Sequence, residues 1–480
     1  MSTASPTQRT GFVHRRRRGA ELFLLVESLV VGIGAYAAVG MGAQDQVPAN
    51  IVNYGLWLAG LLLACHITIR WVAPYSDPVI LPIAAALNGM GLAMIHRLDL
   101  TDMPGVGHLA AKQLQWMTVG VVLFVGVLLI LRDHRFLTRA TYTCGLASIV
   151  LLIVPMLPGI GKSIHGARIW IGIGGFSFQP GEAAKVLLVV FFAGYLVVHR
   201  DALALAGHRV LRIDLPRARD LGPLLLMWAA SMVILVGQRD LGSSLLFFGL
   251  FVIMLYVATE RPGWLVVGAL LFLLGAFAAY TQFGHVQRRV DGWLDPWAEP
   301  DVFTQIIQSL YGMAWGGLLG RGLGMGSPDK IPFAYSDFIV GAFAEELGLT
   351  GLIAIILLYG LLVERALRTA LICRDNFGKL LATGLGVVIA LQVFVVVGGV
   401  TKLIPLTGLT TPFLSYGGSS LVANWVVLAL LLRISDHARR PPPDLTPLDL
   451  TPIAGASEPA DPDARSLEGS DDETQVVVVP

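Results

Sequence analysis

The sequence is poor in charge: Asp, Glu, Lys and Arg make up only 14% of its 480 residues. Soluble domains carry about 25% charged residues, so this composition argues against a soluble globular protein. The formal net charge is only +1, and no overall positive field points to nucleic acid as a partner. Hydrophobic residues fill 55% of the chain. Together these features predict an all-α, polytopic membrane protein.

Cysteine is also scarce, with only three residues in the chain. Cys65, Cys144 and Cys373 all lie in or next to apolar stretches, and no two of them share the spacing of a metal-binding or redox motif. The pattern therefore predicts neither a disulfide nor a zinc site. It favours three small side chains buried among apolar neighbours.

Long apolar stretches are what the sequence has in abundance. A membrane-spanning helix needs about 17–25 residues. Twelve stretches meet or approach that length, and the short connections after even-numbered stretches are rich in Arg, which places them and both termini in the cytoplasm. The polar start with Arg15–Arg18 is not a cleavable signal peptide. The stretches lie near 20–41, 52–73, 78–96, 112–132, 140–157, 182–199, 221–237, 241–258, 263–280, 338–363, 380–400 and 418–435.

Three carboxylates mark the tenth stretch. Asp337 stands at its start, and Glu345 and Glu346 follow inside it. A charged side chain at the centre of a bilayer costs roughly 2.5–3.5 kcal/mol or more, so such acids are candidates for function. Asp337 alone could be a helix N-cap, because the N-terminal end of a helix favours a negative charge. A cap does not account for the two further acids.

A second group of polar residues lies between the fifth and sixth stretches. Glu182 and Lys185 are three residues apart and share a helix face, which fits either a local ion pair or a polar pocket at the outer leaflet. Pro180 suits the first turn of that helix. Before it, apolar residues around Trp170 are expected to lie in the membrane interface like an amphipathic segment. In the case of a polar pocket, Arg168 or Lys185 would be free to meet an anionic head group.

The remaining polar motifs lie in predicted outer connections. Gly237–Gly242 contains Asp240 and fits a tight turn. In the loop 281–336, Arg288, Arg289 and Arg321 are predicted to face outward, although most arginines lie in cytoplasmic connections. They are candidates for binding an anionic head group, or they could simply be snorkelling side chains. The spaced glycines after Trp315 lack the Lys-Ser/Thr of a phosphate loop, so they indicate flexible backbone.

The segment from Lys402 to Ser420 is too polar and too rich in Pro and Gly for the start of a plain span. Such backbone is tolerated at membrane depth where it lines protein or a water-filled cavity. We interpret it as a re-entrant loop facing an outer cavity, with an ordinary outer loop as the alternative.

Five segments in this order resemble the SEDS family (shape, elongation, division and sporulation) of RodA- and FtsW-type peptidoglycan polymerases. The resemblance runs from about Pro78 to Arg433. The segments are GARIWI…FSFQPGEAAK, QRDLGSSLL, IIQSLYGMAWGGLLGRGLG, AYSDFIVGAFAEELGLTG and LTGLTTPFLSYGGSS. Family members typically have ten spans, and the two additional ones here resemble actinobacterial members, which favours the elongation (RodA-like) branch over the division branch.

This resemblance implies a division of the chain into four parts: a basic cytoplasmic tail (1–19), two additional helices (20–77), the polymerase core (78–435) and a disordered cytoplasmic tail (436–480). One departure from the family is Arg239, where members usually have proline.

The activity that the resemblance implies is polymerisation of lipid II at the outer face of the bacterial cytoplasmic membrane. The family's essential aspartate falls on Asp337, the expected general base. Cations would stabilise the leaving pyrophosphate, and a divalent ion (Mg²⁺ or Mn²⁺) could share that task, although no ligand cluster is visible. The motifs predict substrate contacts from Arg168, Trp170, Gln179, Glu182, Lys185, Asp240, Arg289, Gln308, Ser309, Arg321, Glu345, Lys402, Ser415, Tyr416, Gly417, Gly418 and Ser419.

The implied partner is a class B penicillin-binding protein, a transpeptidase that cross-links the product. A lipid II flippase is the main alternative function, since a transporter also needs charged groups in a central cavity. A non-catalytic scaffold is a third. Polar motifs crowd the predicted outer side rather than the midplane, which favours chemistry there.

Overall fold

The computed structural model describes residues 18–101, 107–164, 167–173, 176–204, 208–210, 213–215 and 218–441. Residues 1–17 of the predicted basic tail and residues 442–480 of the predicted disordered tail lie outside the described residues. Residues 436–439, which the sequence analysis assigned to the disordered tail, are helical.

Helices dominate the chain. They are α1 (Arg18–Gln44), α2 (Ile51–Val72), α3 (Ile80–Asp99), α4 (Leu109–Ile130), α5 (Thr141–Ile153), α6 (Pro180–Ala204), α7 (Ala218–Gly237), α8 (Leu241–Thr259), α9 (Gly263–Gln282), α10 (Gly284–Leu294), α11 (Thr304–Gly316), α12 (Ile339–Ile372), α13 (Asn376–Val400) and α14 (Gly418–Arg439). Short 3₁₀ turns cover His134–Ala140, Val154–Met156 and Pro328–Lys330.

The polytopic, all-helical prediction is confirmed. Within the described ranges, eleven helices are long and apolar enough to cross a membrane. The seventh predicted span, near 221–237, corresponds to the shorter apolar helix Gly222–Gly237 within α7. Helices α10 and α11 are shorter still, and they lie in the long connection between α9 and α12.

The helices divide into an inner and an outer set. Helices α3 and α14 are each 89% buried over their apolar windows, whereas α9 is only 6% buried. Helix α1 packs closely on α3, because a Cβ added to Gly89 would lie 2.9 Å from the Cα of Gly32. Small residues at such a crossing let membrane helices approach. Ser28 reinforces the contact by donating to the carbonyl of Pro82 at 2.8 Å.

The connection between α5 and α6 contains a β-sheet that the sequence analysis did not predict. Three antiparallel strands, β1 (Gly161–Ile164), β2 (Ala167–Ile173) and β3 (Phe176–Phe178), pair in chain order. Ile171 of β2 lies opposite Phe178 of β3. Branched and aromatic residues favour strands. A second hairpin joins β4 (His208–Val210) and β5 (Ile213–Leu215).

Helix α12 breaks near its start, at a point where the sequence predicted one continuous span. Gly348 has φ 66° and ψ −171°, which interrupts the helix after Leu347. The glycine-rich segment after α11 docks on this break. Leu349 N–H donates to the carbonyl of Gly317 at 2.9 Å, and Gly322 N–H donates to that of Glu346 at 2.9 Å. The spaced glycines therefore serve close backbone packing.

Candidate active site

Asp337 lies one residue before Phe338, which occupies the N-cap position of α12. Two hydrogen bonds hold the backbone beside it. Tyr335 and Ser336 offer their carbonyls to Tyr416 N–H at 2.7 Å and to Ser415 Oγ at 2.7 Å. The aspartate is therefore fixed against the irregular segment 401–417 that connects α13 to α14.

Arg289 of α10 reaches the same segment from the other side. Its Nη1 donates to the carbonyls of Leu406 at 3.0 Å and Thr407 at 2.8 Å. A Cβ added to Gly408 would lie 3.6 Å from Asp337 Oδ2 and 3.7 Å from Arg289 Nη2. The carboxylate and the guanidinium thus border one small space, which is open because residue 408 has no side chain.

The pKa of Asp337 is raised to about 6, chiefly because burial removes water from the carboxylate. A hydrogen bond from Ser336 and the charge of Arg289 lower this pKa, and the charge of Asp240 raises it. A carboxyl group with such a pKa is mostly ionised at pH 7 and is a stronger base than an ordinary aspartate.

Asp240 contributes to this site from the start of α8. Its carboxylate accepts from the N–H of Ser243 at 3.0 Å, so it caps the helix as the tight-turn interpretation requires. Burial raises its pKa, and the charge of Arg289 lowers it. Gly242 brings the turn close to the same segment, since a Cβ there would lie 2.7 Å from the carbonyl oxygen of Thr407.

The Glu182–Lys185 pair supports the site from within the bundle. Lys185 Nζ lies 2.5 Å from Glu182 Oε2, and both side chains are buried. The ammonium also donates to Gln392 Oε1 at 2.8 Å, and Gln392 Nε2 donates to the carbonyl of Thr410 at 2.8 Å. This chain of contacts therefore fixes the part of segment 401–417 that adjoins Gly408. Sequence reasoning missed Gln392, although a lone amide inside an apolar span is a detectable signal.

The segment from Ser415 to Ser419 is held rather than exposed. Gln113 of α4 donates to the carbonyl of Ser415 at 3.0 Å and accepts from Gly417 N–H at 3.3 Å. Ser419 Oγ accepts from the N–H of Gln179 at 2.8 Å. A Cβ on Gly418 would clash with the Trp116 ring, so glycine is required there. Gln113, like Gln392, went unnoticed in the sequence.

Glu345 and Glu346 fasten the glycine-rich segment. Ser327 N–H donates to Glu345 Oε1 at 2.7 Å, and Gly324 N–H donates to Glu346 Oε2 at 2.9 Å. Arg97 of α3, which the sequence analysis overlooked, pairs with Glu346 Oε1 at 3.0 Å. These contacts give the two glutamates a structural role.

The other predicted contact residues lie around this centre. Arg168 is exposed on β2, and Trp170 is half-buried opposite Lys162. Arg321 stacks on Trp315 with 5.2 Å between guanidinium carbon and ring centroid, and Lys402 stacks on Trp297 at 5.0 Å. Within α11, Gln308 is half-buried and Ser309 is buried against Gly341.

A cleft of about 580 Å³ opens near this site, where the ends of α7 and α9 meet. Its lining includes Arg239, His285 and Arg288. Both arginines are exposed, and within the described residues neither forms an ion pair. Arg239 has φ 61°, a backbone conformation that proline cannot adopt. This turn therefore excludes proline at position 239.

Metal ligands do not gather at Asp337 in the described residues. The described residues contain two groups of three His, Cys, Asp or Glu side chains that could hold an ion. Both groups contain His134 and lie elsewhere in the molecule. Asp337 and Asp240 offer carboxylates only, which suits a hard cation that is also held by substrate phosphates.

A family model described as "Cell cycle protein", the FtsW, RodA and SpoVE family, matches residues 78–440. This chain belongs to the SEDS family. The SEDS match begins at Pro78, where the sequence analysis places the start of the polymerase core.

Individual relatives refine the assignment. The chain is 50% identical over 430 residues to "Peptidoglycan glycosyltransferase RodA" of Mycobacterium tuberculosis, covering 88% of this chain and 92% of that protein. It is 32% identical to "Probable peptidoglycan glycosyltransferase FtsW" of Geobacter metallireducens, over 76% of this chain and 96% of the relative. The prediction of an actinobacterial RodA-like member is confirmed.

Solved structures share the fold. One is a peptidoglycan synthase complex that coordinates polymerization and crosslinking, with a TM-score of 0.62, 28% identity, and coverage of 77% of this chain and 99% of that chain. Another is the rod shape determining protein RodA of Thermus thermophilus, with a TM-score of 0.54, 26% identity, and coverage of 76% and 98%.

Proposed function

We propose that this protein polymerises lipid II into β-1,4 glycan strands at the outer face of the bacterial cytoplasmic membrane. The predicted enzyme class, peptidoglycan glycosyltransferase, is confirmed by the mycobacterial RodA relatives. The observation that carries the mechanism is the shared space of Asp337 and Arg289 beside Gly408.

Asp337 acts as the general base. The acceptor is the 4-hydroxyl of GlcNAc on an incoming lipid II, and Asp337 takes its proton as the oxygen attacks the donor sugar carbon. A pKa of about 6 favours this step, because the group is ionised near neutral pH yet basic enough to accept a proton. Attack from the face opposite the leaving group inverts an α-linked donor into a β-linked product.

Cations stabilise the undecaprenyl pyrophosphate that leaves. Arg289 is the cation that borders the same space as Asp337, and two backbone carbonyls fix its orientation. Preorganised charge of this kind lowers a barrier without reorganisation during the reaction. Arg239 and Arg288 extend the positive charge into the adjoining cleft. Asp337 and Asp240 would hold a Mg²⁺ or Mn²⁺ ion, which would supply positive charge to neutralise the leaving pyrophosphate.

Lys185 has a positioning role. It is buried and already contacts Glu182 and Gln392. Its effect on the reaction passes through Gln392 to the segment that carries Gly408. Arg168 is exposed on β2 and is the better candidate for direct contact with a lipid head group.

The orientation follows from the distribution of arginines. The basic connections face the cytoplasm together with both termini, so Asp337 faces the outer side.

A class B penicillin-binding protein is the proposed partner, which the resemblance to a peptidoglycan synthase complex supports.

The decisive experiment is polymerisation of purified lipid II by the purified protein with its partner present. Wild type, Asp337→Asn and Asp301→Asn are compared on a gel that resolves glycan length. Asp301 is an exposed acid in the connection between α10 and α11 and serves as the matched control. We expect polymer from wild type and the control, and none from Asp337→Asn.

Equal polymer from wild type and Asp337→Asn would remove Asp337 from the mechanism. No polymer from any of the three, with the partner bound and all proteins folded, would contradict the polymerase and favour the transporter. A flipping assay in vesicles containing lipid II would then test that alternative directly.

A further inference from the structure

A cluster of three different metal-binding side chains lies at the end of the bundle opposite Asp337. His134 begins the connection between α4 and α5, whereas Cys373 and Asp375 lie between α12 and α13. His134 Nε2 is 3.1 Å from Asp375 Oδ1, and Cys373 Sγ is 3.4 Å from the same oxygen. One donor atom from each residue lies within 4.8 Å of the others.

The three donors face a common space beside Gly378. A Cβ added to Gly378 would lie 2.6 Å from Cys373 Sγ, 2.7 Å from His134 Nε2 and 3.0 Å from Asp375 Oδ2. Bonds from Zn²⁺ to sulfur, nitrogen and oxygen are about 2.0–2.3 Å long. Small movements of the side chains would therefore bring all three donors onto one ion.

The chemistry of the donors selects the class of metal. Thiolate, imidazole and carboxylate together suit Zn²⁺ and similar transition metals, whereas Mg²⁺ and Ca²⁺ prefer oxygen alone. His134 is fully buried and Cys373 is 3% exposed, so water competes little for these ligands.

A second observation points to the same site. Among the residues that the structure describes, the buried His134 Nδ1 has no hydrogen-bond partner, although Asp133 Oδ1 lies 3.7 Å away and His437 packs on the ring. If Nε2 binds a metal, Nδ1 carries the proton and points toward Asp133. Metal-bound histidines usually donate their second N–H to a carboxylate in this manner.

We propose that His134, Cys373 and Asp375 bind one Zn²⁺-class ion, which ties the α4–α5 connection to the α12–α13 connection. Nothing in the glycosyl transfer requires it. Asp375 also has a structural role that needs no ion, because it caps α13 by accepting from Gly378 N–H at 2.7 Å. The test must therefore measure the metal itself.

The test is titration of the full-length, metal-stripped protein in detergent with Co²⁺, a spectroscopic substitute for Zn²⁺. We expect one ion per chain and a thiolate-to-cobalt charge-transfer band. Cys373→Ser should abolish the band and weaken binding at least about tenfold, since even loss of an outer-shell partner costs 10–100-fold. Cys65→Ser and Cys144→Ser are matched controls, as both cysteines are buried elsewhere, and they should keep the band.

Gly378→Ala provides a second variant, because it keeps all three ligands and fills the space between them. It should also lose the band. Size-exclusion chromatography and thermal unfolding in the absence of metal check that each variant folds. No charge-transfer band in the folded wild type, or an equal band in folded Cys373→Ser, would overturn the proposal.

Discussion

Asp337 and Arg289 meet across the missing side chain of Gly408, with one carboxylate oxygen and one guanidinium nitrogen each within 3.7 Å of the same point. They come from the start of α12 and from α10, and the α13–α14 connection separates them. A carboxylate and a cation thus border the same small space. The following predictions test this arrangement.

The pH dependence of kcat/KM should show an acid limb near pH 6. Asp337 must be ionised to accept a proton, and its pKa is raised to about 6 by burial. Activity should therefore fall as pH decreases through that value. Initial rates of polymerisation measured from pH 4.5 to pH 8 would show this fall, because the range extends about one and a half pH units or more to each side of the pKa. An acid limb near the ordinary aspartate pKa would contradict the proposed environment.

Asp240→Asn should move the acid limb to lower pH. The charge of Asp240 raises the pKa of Asp337, so its removal makes Asp337 easier to ionise. Asparagine is also a good N-cap, and α8 should remain folded. The same rate measurements test this shift. A limb that stays in place would show that the two carboxylates do not interact.

Gly408→Ala should reduce kcat and lower stability moderately. Gly408 has φ 74°, and a side chain in that conformation costs roughly 1–2 kcal/mol. The new methyl group would also occupy the space between Asp337 and Arg289. Polymerisation rates and thermal unfolding separate the two effects. Gly275→Ala on α9, where an added Cβ meets nothing within 4 Å, is the control and should lower neither kcat nor stability.

Lys185→Met should destabilise the protein by about 3–5 kcal/mol, because it leaves the buried Glu182 carboxylate without its cation. Glu182→Gln combined with Lys185→Met should recover part of that loss, since neither charge remains. Thermal unfolding of the three proteins measures both effects. If the single variant were as stable as wild type, Lys185 would have no positioning role.

The sequence predicted the helices well because a span needs little beyond length and hydrophobicity. It also singled out Asp337, Asp240 and Arg289 as candidate site residues, since charged residues beside apolar spans are conspicuous. It did not reveal Gln113, Gln392 or Arg97. Each of these is a single polar residue in an apolar helix, and its partner lies on a segment distant in the chain.

Short-range patterns were harder to interpret where the backbone rather than the side chains makes the contacts. The segment before α6 forms a three-stranded sheet, which the sequence did not predict. The glycines near Arg321 became a docking surface for the break in α12 at Gly348. Both results depend on pairing between backbone groups, which leaves only a weak trace in residue type.

Composition and hydropathy alone determined that this chain is a polytopic membrane protein, because hydropathy is a local property of the sequence, and the order of five motifs carried its resemblance to the SEDS family. Tertiary structure decided which charges are held by partners from other helices. Glu346 pairs with Arg97, and Lys185 donates to Gln392, whereas Asp337 borders the space at Gly408. Cys373 looked like an isolated apolar thiol until folding brought His134 beside it. Such pairings arise only when distant helices meet, since burial and partner together set the behaviour of a charge.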